Sequence, residues 1–465
     1  MSTDPRFAQL SACLRARKGR QAVSLAEALV ADHPRSPIAW SGLADAWMVS
    51  GRADIAAQGR IQALSLKPDS LTLQYNLGTT LLSAGRKAEA VNVLERLTRL
   101  APRQPLPRMN LGIALRDLGQ LPRAAAELSQ ALTWADKDSA VAAEVEWNLA
   151  LVWLMGGDLA QGLRAYEARR RLPRFSMMRP KGLPEWRGGR CDGGLLVVVE
   201  QGLGDTLQYT RWIRRLRPQV SGRLVLAVQK PLVPLLSAGL EGLREGDEVV
   251  PLSGKMVMAG VRAWAPLLSL PFLLGAMDKG AHMESGSWLS ADPVLRTSWR
   301  QRLSEMPGRL KVGVVWQGNP SYKDDQNRSW PLRSLGPLAA VEGVTLVSLQ
   351  KRHGRGQMAT AGFDIIDVDA VLDEDTGPFL DTAAAMSELD LVVTSDTSTL
   401  HLAGALGART WAAIAHIPDW RFGLRGDQLP EYPRVQLVRQ VRPGDWDSVA
   451  QRMASWLARE VSDRL

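Results

Sequence analysis

Residues 37–70, PIAWSGLADAWMVSGRADIAAQGRIQALSLKPDS, contain the pattern that decides the fold of the first third of the chain. Leu43 and Trp47 are four residues apart and therefore lie on one face of a helix. Gly51 follows that helix and permits a tight turn with a positive φ angle. Pro68 ends the segment, because proline cannot continue a helix. The segment therefore predicts a helical hairpin.

The same pattern returns with a period of 34 residues. The repeated columns are Pro34, Pro68 and Pro102; Leu43, Leu77 and Leu111; Gly51, Gly85 and Gly119; Ala22, Ala56, Ala90 and Ala124; and Ala63, Leu97 and Ala131. A further copy follows at a spacing of 38 and contains Leu149, Trp153, Gly157 and Gly162. Each hairpin leaves an apolar face that only its neighbour can cover, so the repeats predict a stacked array.

These columns, with Trp40 included, resemble the tetratricopeptide repeat. The resemblance implies an α-solenoid of about five repeats over residues 1–173. The predicted repeats are 1–36, 37–70, 71–104, 105–140 and 141–173. Members of that family bind protein segments along a concave groove and carry no chemistry of their own. The resemblance therefore implies a bound partner protein, and any catalysis must come from the rest of the chain.

Composition limits the class of protein. The 465 residues include two cysteines, Cys13 and Cys191, which is too few for a disulfide framework or a thiolate metal site. The first ten residues lack the apolar core of a signal peptide, and apolar runs have the length of strands, so we expect a cytoplasmic protein without a transmembrane segment. The net charge of +9 favours anionic ligands. Without a recognition motif, that charge does not predict nucleic-acid binding.

A boundary follows the repeats, because the run RRRLPRFSMMRPKGLPEWRGG at 169–189 has three prolines and no periodicity. We predict a linker over 174–187, which is either a solvated basic segment or an anion site. Strands and helices then alternate, which predicts two Rossmann-like, doubly wound domains at 188–306 and 307–465. The predicted strands are 195–201, 224–228, 248–252, 263–267, 311–316, 345–349, 391–394 and 409–414. The predicted helices are 202–216, 231–240, 293–306, 332–341, 379–389, 397–406 and 445–459.

The first candidate site segment is Gly202-Leu203-Gly204-Asp205, which joins a predicted strand to a helix. Its glycines let backbone amides approach a ligand at the helix N-terminus. A dinucleotide fingerprint needs a third glycine where this chain has Leu207, so the segment does not predict NAD binding. Asp205 is either a helix cap or a general base that deprotonates an acceptor hydroxyl.

Two further segments follow strands of the second predicted domain. The loop 317–330 offers Lys323, Arg328 and Ser329 with the amides of Gly318 and Asn319, which suits a diphosphate, although it is also an ordinary polar surface loop. The segment Ser395–His401 offers helix-terminal amides for phosphate oxygens and Asp396 for a ribose or for the helix amides. Thr397 and His401 share a helical face toward the crevice that doubly wound folds form at the carboxyl ends of their strands.

Residues 183–460 resemble the GT-B glycosyltransferases related to bacterial heptosyltransferases, in particular the tetratricopeptide-fused branch that includes flagellin glycosyltransferases. The segments that carry the resemblance are EQGLGDTLQYTRW, VGVVWQGNP, NRSWPL, SLQK, DLVVTSDTSTLHLAGALG and PDWR. The resemblance implies that Asp205 is the catalytic base and that a nucleotide-sugar binds at the remaining motif residues. These are Gly202, Gly204, Trp316, Gly318, Asn319, Lys323, Arg328, Ser329, Gln350, Lys351, Asp396, Thr397, Ser398, His401, Asp419 and Trp420.

The resemblance implies an inverting, metal-independent transferase with no cofactor besides its nucleotide-sugar substrate. Ser398 stands where many heptosyltransferases have glycine, so the identity of the sugar does not carry over. We expect a protein O-glycosyltransferase that modifies Ser or Thr of a repeat-bound protein such as flagellin. Two alternatives stay open: a glycosyltransferase of surface polysaccharide or lipopolysaccharide assembly, and a non-catalytic repeat adaptor with a degenerate transferase domain.

Overall fold

The computed structural model describes residues 4–175, 178–253, 258–275 and 286–463. The chain forms two compact units, Met1–Leu172 and Pro173–Leu465. The first unit ends one residue before the end of the predicted repeat array. Residues 176–177 of the predicted linker lie outside the described residues, as do 254–257 and 276–285 of the first predicted domain.

The first unit consists of helical hairpins, as the repeat columns predict. The helices are α1 (Arg6–Arg15), α2 (Gly19–Asp32), α3 (Pro37–Val49), α4 (Ala53–Leu66), α5 (Leu71–Ser83), α6 (Lys87–Leu100), α7 (Pro105–Arg116), α8 (Leu121–Trp134), α9 (Ala140–Met155) and α10 (Leu159–Tyr166). Each helix packs against the next one along the chain. The stack buries small and branched side chains between the hairpins, among them Ala90, Leu94, Leu111 and Leu128.

The turn inside each hairpin has the backbone conformation that the glycine column predicts. Gly51, Gly85, Gly119 and Gly157 have φ angles of 76°, 72°, 73° and 84°. The first hairpin places Arg17 at the same position, with a φ angle of 52°. This left-handed conformation is unfavourable for any residue with a Cβ atom. The first repeat therefore forms the same left-handed turn, but with a cost in conformational free energy that the glycine of the other four repeats avoids.

The second unit contains two sheets of mainly parallel strands. The strands of the first sheet are β1 (Gly194–Val198), β2 (Leu224–Val228), β3 (Glu248–Pro251) and β4 (Val261–Pro266). Their order is β3-β2-β1-β4, and all neighbouring strands are parallel. The helices of this region are α11 (Leu203–Tyr209), α12 (Ile213–Leu216), α13 (Val233–Gly239) and α14 (Leu270–Leu273). Every residue of β1 and β2 is buried, as expected for central strands of a parallel sheet.

The strands of the second sheet are β5 (Leu310–Val315), β6 (Val344–Ser348), β7 (Ile366–Asp367), β8 (Leu391–Ser395), β9 (Thr410–Ile414), β10 (Gln428–Leu429) and β11 (Tyr432–Arg439). Their order is β10-β11-β9-β8-β5-β6-β7; the β10–β11 pair is antiparallel and the other described pairs are parallel. The helices are α15 (Pro293–Ser304), α16 (Asp325–Arg328), α17 (Gly336–Ala339), α18 (Leu380–Glu388), α19 (Ser398–Leu406) and α20 (Trp446–Asp463).

The strand orders fix where a ligand crevice lies. The chain starts each sheet in the middle, at β1 and at β5, builds outward on one side and then crosses to β4 or β8 on the other. Loops diverge at such a switch point, and doubly wound sheets bind ligands there, beyond the carboxyl ends of the strands. The mainly parallel sheets are as predicted, whereas their pairing as a GT-B fold stays a prediction.

Several elements differ from the expectation. The predicted helix over 332–341 is a 3-10 turn, Leu332–Leu335, followed by the four-residue α17. Pro337 interrupts the α-helical hydrogen bonds, because it lacks an N–H. The strands β7, β10 and β11 were not predicted, since two of them have only two residues and β11 contains a proline. Within the described ranges, every helix is too short or too polar to cross a lipid bilayer.

Candidate functional site

Three of the predicted site segments meet in the second unit. A Cβ atom placed on Gly204, in α11, would lie 2.9 Å from the Cδ2 atom of His401 and 3.4 Å from the Cα atom of Ser398. One placed on Gly318, after β5, would lie 3.1 Å from the Cγ2 atom of Thr397. The loops after β1, β5 and β8 therefore converge at the switch points of the two sheets, and glycine is needed where they touch.

Asp205 lies in the first turn of α11 with both carboxylate oxygens engaged. Its Oδ2 atom accepts a hydrogen bond from the Gly202 N–H at 2.9 Å, which is the predicted capping contact. Its Oδ1 atom accepts a hydrogen bond from Nη2 of Arg421, so the two residues form an ion pair. The side chain of Asp205 keeps 21% of its surface exposed. Asp205 is thus the third residue of α11, where it accepts a hydrogen bond from the N-cap residue Gly202 and still reaches solvent, and its role as a base stays a prediction.

Arg421 is a site residue that was not predicted, although it is the last residue of the PDWR motif. Its Nη1 atom donates to Asp419 at 2.9 Å and its Nε atom donates to Gln208 Oε1 at 2.7 Å. The guanidinium also lies over the Trp420 ring, 4.6 Å from the centroid. Only 9% of the Arg421 side chain is exposed. Nothing in the local sequence points to Asp205, because the contact joins residues 216 positions apart.

Asp396 follows β8 and is half-buried. Within the described part of the chain, it has no hydrogen-bond or ion-pair partner. Burial, reinforced by the nearby charge of Asp419, raises its pKa to about 7, although Arg328 and Arg421 act in the opposite direction. Near neutral pH this carboxyl is therefore able both to donate and to accept a hydrogen bond, which suits a ligand hydroxyl.

His401 is buried in α19 beside the crevice. Its Nδ1 atom lies 2.9 Å from the Tyr432 hydroxyl, and its ring stacks on Phe422 with the centroids 6.3 Å apart. Burial and the neighbouring arginines hold its pKa well below the ordinary range, so the imidazole is neutral at pH 7. These contacts are those of a packed histidine. Its role in donor binding stays a prediction.

The predicted diphosphate loop is held together by its own polar groups. The Gly318 N–H donates to Ser329 Oγ at 2.9 Å, and that hydroxyl donates to Asp325 Oδ2 at 3.0 Å. Arg328 donates from Nε to Asp325 at 3.2 Å and lies over the ring of Tyr322, 4.4 Å from its centroid. The side chain of Arg328 is 22% exposed, and its charge lies beside Gly318 and Asp396.

The other residues predicted to bind the nucleotide-sugar have three different kinds of environment. Asn319 and Lys323 are exposed on the outer part of the loop. Trp316 and Gln350 are buried, and the Gln350 amide accepts hydrogen bonds from the Trp316 and Gln317 N–H groups, both at 3.0 Å. Lys351 forms ion pairs with Asp369 and Glu374 at 2.9 and 2.7 Å. Gln350 thus supports the loop, and Lys351 is committed to acidic residues after β7.

The start of α19 completes the geometry. Thr397 is the N-cap residue of α19 without a side-chain capping bond, and its Oγ1 atom lies 2.6 Å from that of Thr399. Ser398 is the first helical residue and is half-buried. The helix terminus presents amide groups with partial positive charge toward the region of Arg328 and Asp396. In the residues that the structure describes, no group of three or more His, Cys, Asp or Glu side chains is arranged to hold a metal ion.

Comparison with known proteins supports the repeats of the first unit directly. A tetratricopeptide repeat family model matches residues 7–70 and 75–140. The first unit therefore contains tetratricopeptide repeats, which suggest a protein-binding role. The chain is also 26% identical over 424 residues to Protein FlbA of Caulobacter vibrioides (strain ATCC 19089 / CIP 103742 / CB 15), covering 85% of this chain and 68% of FlbA. An alignment of that length extends beyond the repeats into the second unit.

Solved structures with similarity to the chain cover about a third of it. MamA from Desulfovibrio magneticus RS-1 is 18% identical, covering 37% of this chain and 94% of MamA, with a TM-score of 0.32. YrrB, described as a TPR protein with an unusual peptide-binding site, is 17% identical over 37% of this chain and 87% of YrrB, with a TM-score of 0.32. PilW, a type IV pilus biogenesis factor, is 24% identical over 36% of this chain and 76% of PilW, also at 0.32.

Proposed function

We propose that this protein is an inverting, metal-independent glycosyltransferase of the GT-B kind. It transfers a sugar from a nucleotide-sugar to a Ser or Thr hydroxyl of a protein that the repeats recruit, such as flagellin. The observation that carries the proposal is the meeting of two carboxyl groups and two arginines at the switch points of the two sheets, where one carboxyl has no hydrogen-bond partner among the described residues. These residues are Asp205, Asp396, Arg328 and Arg421.

The donor binds on the side of the second sheet. Its diphosphate carries negative charge that grows as the bond to the sugar breaks, and Arg328 and the N-terminus of α19 are the nearby positive groups. Asp396 binds a hydroxyl of the ribose or the sugar, because its carboxyl is half-buried and has no protein partner among the described residues. These groups replace the charge that a metal ion supplies in other transferases.

The acceptor hydroxyl approaches Asp205. As its oxygen forms a bond to the anomeric carbon, the hydroxyl proton passes to the Asp205 carboxylate. The bond between the anomeric carbon and the diphosphate oxygen breaks, and its electron pair leaves with the nucleoside diphosphate. Attack from the face opposite the leaving group inverts the anomeric centre. The exposed fifth of the Asp205 side chain provides the access that this step needs.

The repeats recruit the acceptor protein and thereby raise the concentration of its hydroxyl groups near the transferase. Such arrays expose a long surface on which a peptide segment can lie. The similarity to FlbA, which includes both the repeats and much of the second unit, is consistent with two parts that act together.

The substitution Asp205→Asn tests the proposal. We expect this variant to fold and to bind donor, because the amide oxygen still accepts the capping bond, while transfer falls by on the order of 10²–10⁴. The assay follows the intact mass of flagellin, purified from cells that lack this protein, with UDP-, GDP-, ADP- and CMP-sugars as donors. Asp364→Asn, at an exposed carboxylate far along the chain, is the matched control and should keep full activity.

Other outcomes separate the remaining functions. Unimpaired transfer by Asp205→Asn would remove the base from the proposal. Glycosylation of a lipid-linked acceptor instead of flagellin, with co-flotation on vesicles, would indicate polysaccharide assembly. Absence of calorimetric binding to every nucleotide and nucleotide-sugar would indicate a non-catalytic adaptor.

A further inference from the structure

We infer that Arg421 is a positioning residue that holds Asp205 in its reactive orientation. The inference rests on the proposed function, in which Asp205 receives the acceptor proton. Asp205 belongs to the helix after β1 of the first sheet, whereas Arg421 lies in the segment after β9 of the second sheet. The orientation of the proposed base therefore depends on a residue from the other sheet.

The geometry restricts the Asp205 carboxylate from two sides. The Gly202 N–H holds Oδ2 and the Arg421 guanidinium holds Oδ1. With one donor on each oxygen, the carboxylate plane cannot rotate freely about the Cβ–Cγ bond. Each oxygen keeps a second lone pair, so the carboxylate can still accept the proton of the acceptor hydroxyl. Charge-assisted bonds of this kind are stronger than neutral ones and are well suited to fix a side chain.

Arg421 is itself held by partners other than Asp205. Its Nη1 and Nε atoms donate to Asp419 and Gln208. Gln208 is buried and in turn donates from Nε2 to Glu431 at 3.3 Å. A chain of hydrogen bonds thus runs from Glu431 through Gln208 and Arg421 to Asp205. Removing one link leaves the next residue less restrained, which is the behaviour of a network that sets the position of a reactive group.

The charge of Arg421 has a second consequence. Asp205 and Asp419 both lie close enough to Asp396 for their charges to raise the pKa of its carboxyl. Arg421 forms ion pairs with two of the three carboxylates. Without its charge, these carboxylates would repel one another across the crevice, and Asp205 would move from the position that the hydroxyl requires.

The test combines Arg421→Met with Asp205→Asn in the full-length protein, using the flagellin and nucleotide-sugar assay described above. We expect Arg421→Met to lower kcat by about 10- to 100-fold, because a displacement near 1 Å has that effect, with the KM for donor changed by less than about threefold. Arg421→Lys should give an intermediate rate, since an ammonium cannot bridge all three acceptors. Arg425→Met, at an exposed arginine in the same segment, should behave as wild type.

The double variant decides how Arg421 acts. If Arg421 works through Asp205, Arg421→Met should cause no further loss in the Asp205→Asn background. The inference would be overturned if the two substitutions lowered kcat additively in the double variant, or if Arg421→Met alone had a normal kcat. A rise in the KM for donor at constant kcat would also overturn it, because Arg421 would then be a donor-binding residue. Full activity of Asp205→Asn would instead contradict the proposed base. Should Arg421→Met fail to fold by circular dichroism, Arg421→Lys and its double variant carry the same comparison.

Discussion

The substitution Arg17→Gly should stabilise the first helical hairpin. Arg17 occupies the turn between α1 and α2 with a φ angle of 52°, where the later repeats have glycine. Its N–H donates to Leu14 O at 3.1 Å, and the Lys18 N–H donates to Cys13 O at 3.0 Å. The turn after Gly51 has the same two bonds, at 3.0 and 2.9 Å. Because Arg17 is exposed, its replacement should remove little packing.

Two opposing contributions set the change in free energy of unfolding that Arg17→Gly should cause. The left-handed conformation costs a residue with a Cβ atom about 1–2 kcal/mol. Glycine gives back about 0.5–1 kcal/mol of that gain through the greater freedom of the unfolded chain. The expected net stabilisation is therefore about 0.5–1 kcal/mol. Since every 1.4 kcal/mol is a factor of ten in an equilibrium constant, opening of the hairpin should become about two- to fivefold rarer.

Native-state hydrogen exchange of the amides in α1 and α2, followed by mass spectrometry, measures this local opening in the intact protein. Gly51→Ala is the matched reverse change, because a Cβ atom there would have no neighbour within 4 Å and only the backbone conformation is affected. It should speed exchange in α3 and α4 by a similar factor. If amide exchange were unchanged in both variants, or faster in Arg17→Gly, the left-handed φ angle would not be the source of the expected difference in stability.

Two further predictions concern the crevice. Gly318→Ala should weaken binding of the nucleotide-sugar by about tenfold in calorimetry, because its Cβ atom would lie 2.4 Å from Asp325 Oδ1 and 2.9 Å from Arg328 Nη2. The control Gly356→Ala has open space around the added atom and should bind the nucleotide-sugar normally. If the two variants bound it with equal affinity, the role of the loop after β5 would be contradicted. Asp396→Asn should raise Tm at pH 8 but hardly at pH 4. The wild-type carboxyl has a folded-state pKa of about 7, so its destabilising effect is absent below the unfolded value near 3.8, grows as pH rises toward 7 and is then constant. A Tm difference independent of pH would contradict this assignment.

The helical hairpins of the first unit could be predicted from the sequence because the residues that determine each hairpin are near one another along the chain. The hairpins follow from i, i+4 pairs, the turn conformation follows from a glycine column, and the helix ends follow from prolines, all within about 34 residues. The strands β1, β2 and β8 were found for the same reason, since a short run of buried β-branched residues is itself a local signal. Only Arg17 departs from the column, and the structure shows that the turn forms there as well.

The site could be anticipated only as separate segments. The glycine turn before Asp205 and the Ser–Thr run at the start of α19 each indicate a helix N-terminus after a strand. The sequence does not reveal that Gln350 would support the backbone of a loop more than 30 residues earlier, or that Lys351 would pair with acidic residues after β7. Both residues have the polar character of ligand-binding groups, and only their partners distinguish support from binding.

The sequence by itself determined the helical repeats, the mainly parallel sheets and the place of Asp205 in the first turn of a helix, because each depends on residues that are near one another along the chain. Tertiary structure alone decided that Arg421 pairs with Asp205, that His401 is buried against Tyr432, and that Asp396 lacks a partner among the described residues. The strand order of two sheets brings these residues together from positions up to 216 apart. Periodicity and spacing act over short distances along the chain, whereas charge pairing and burial depend on distance in space.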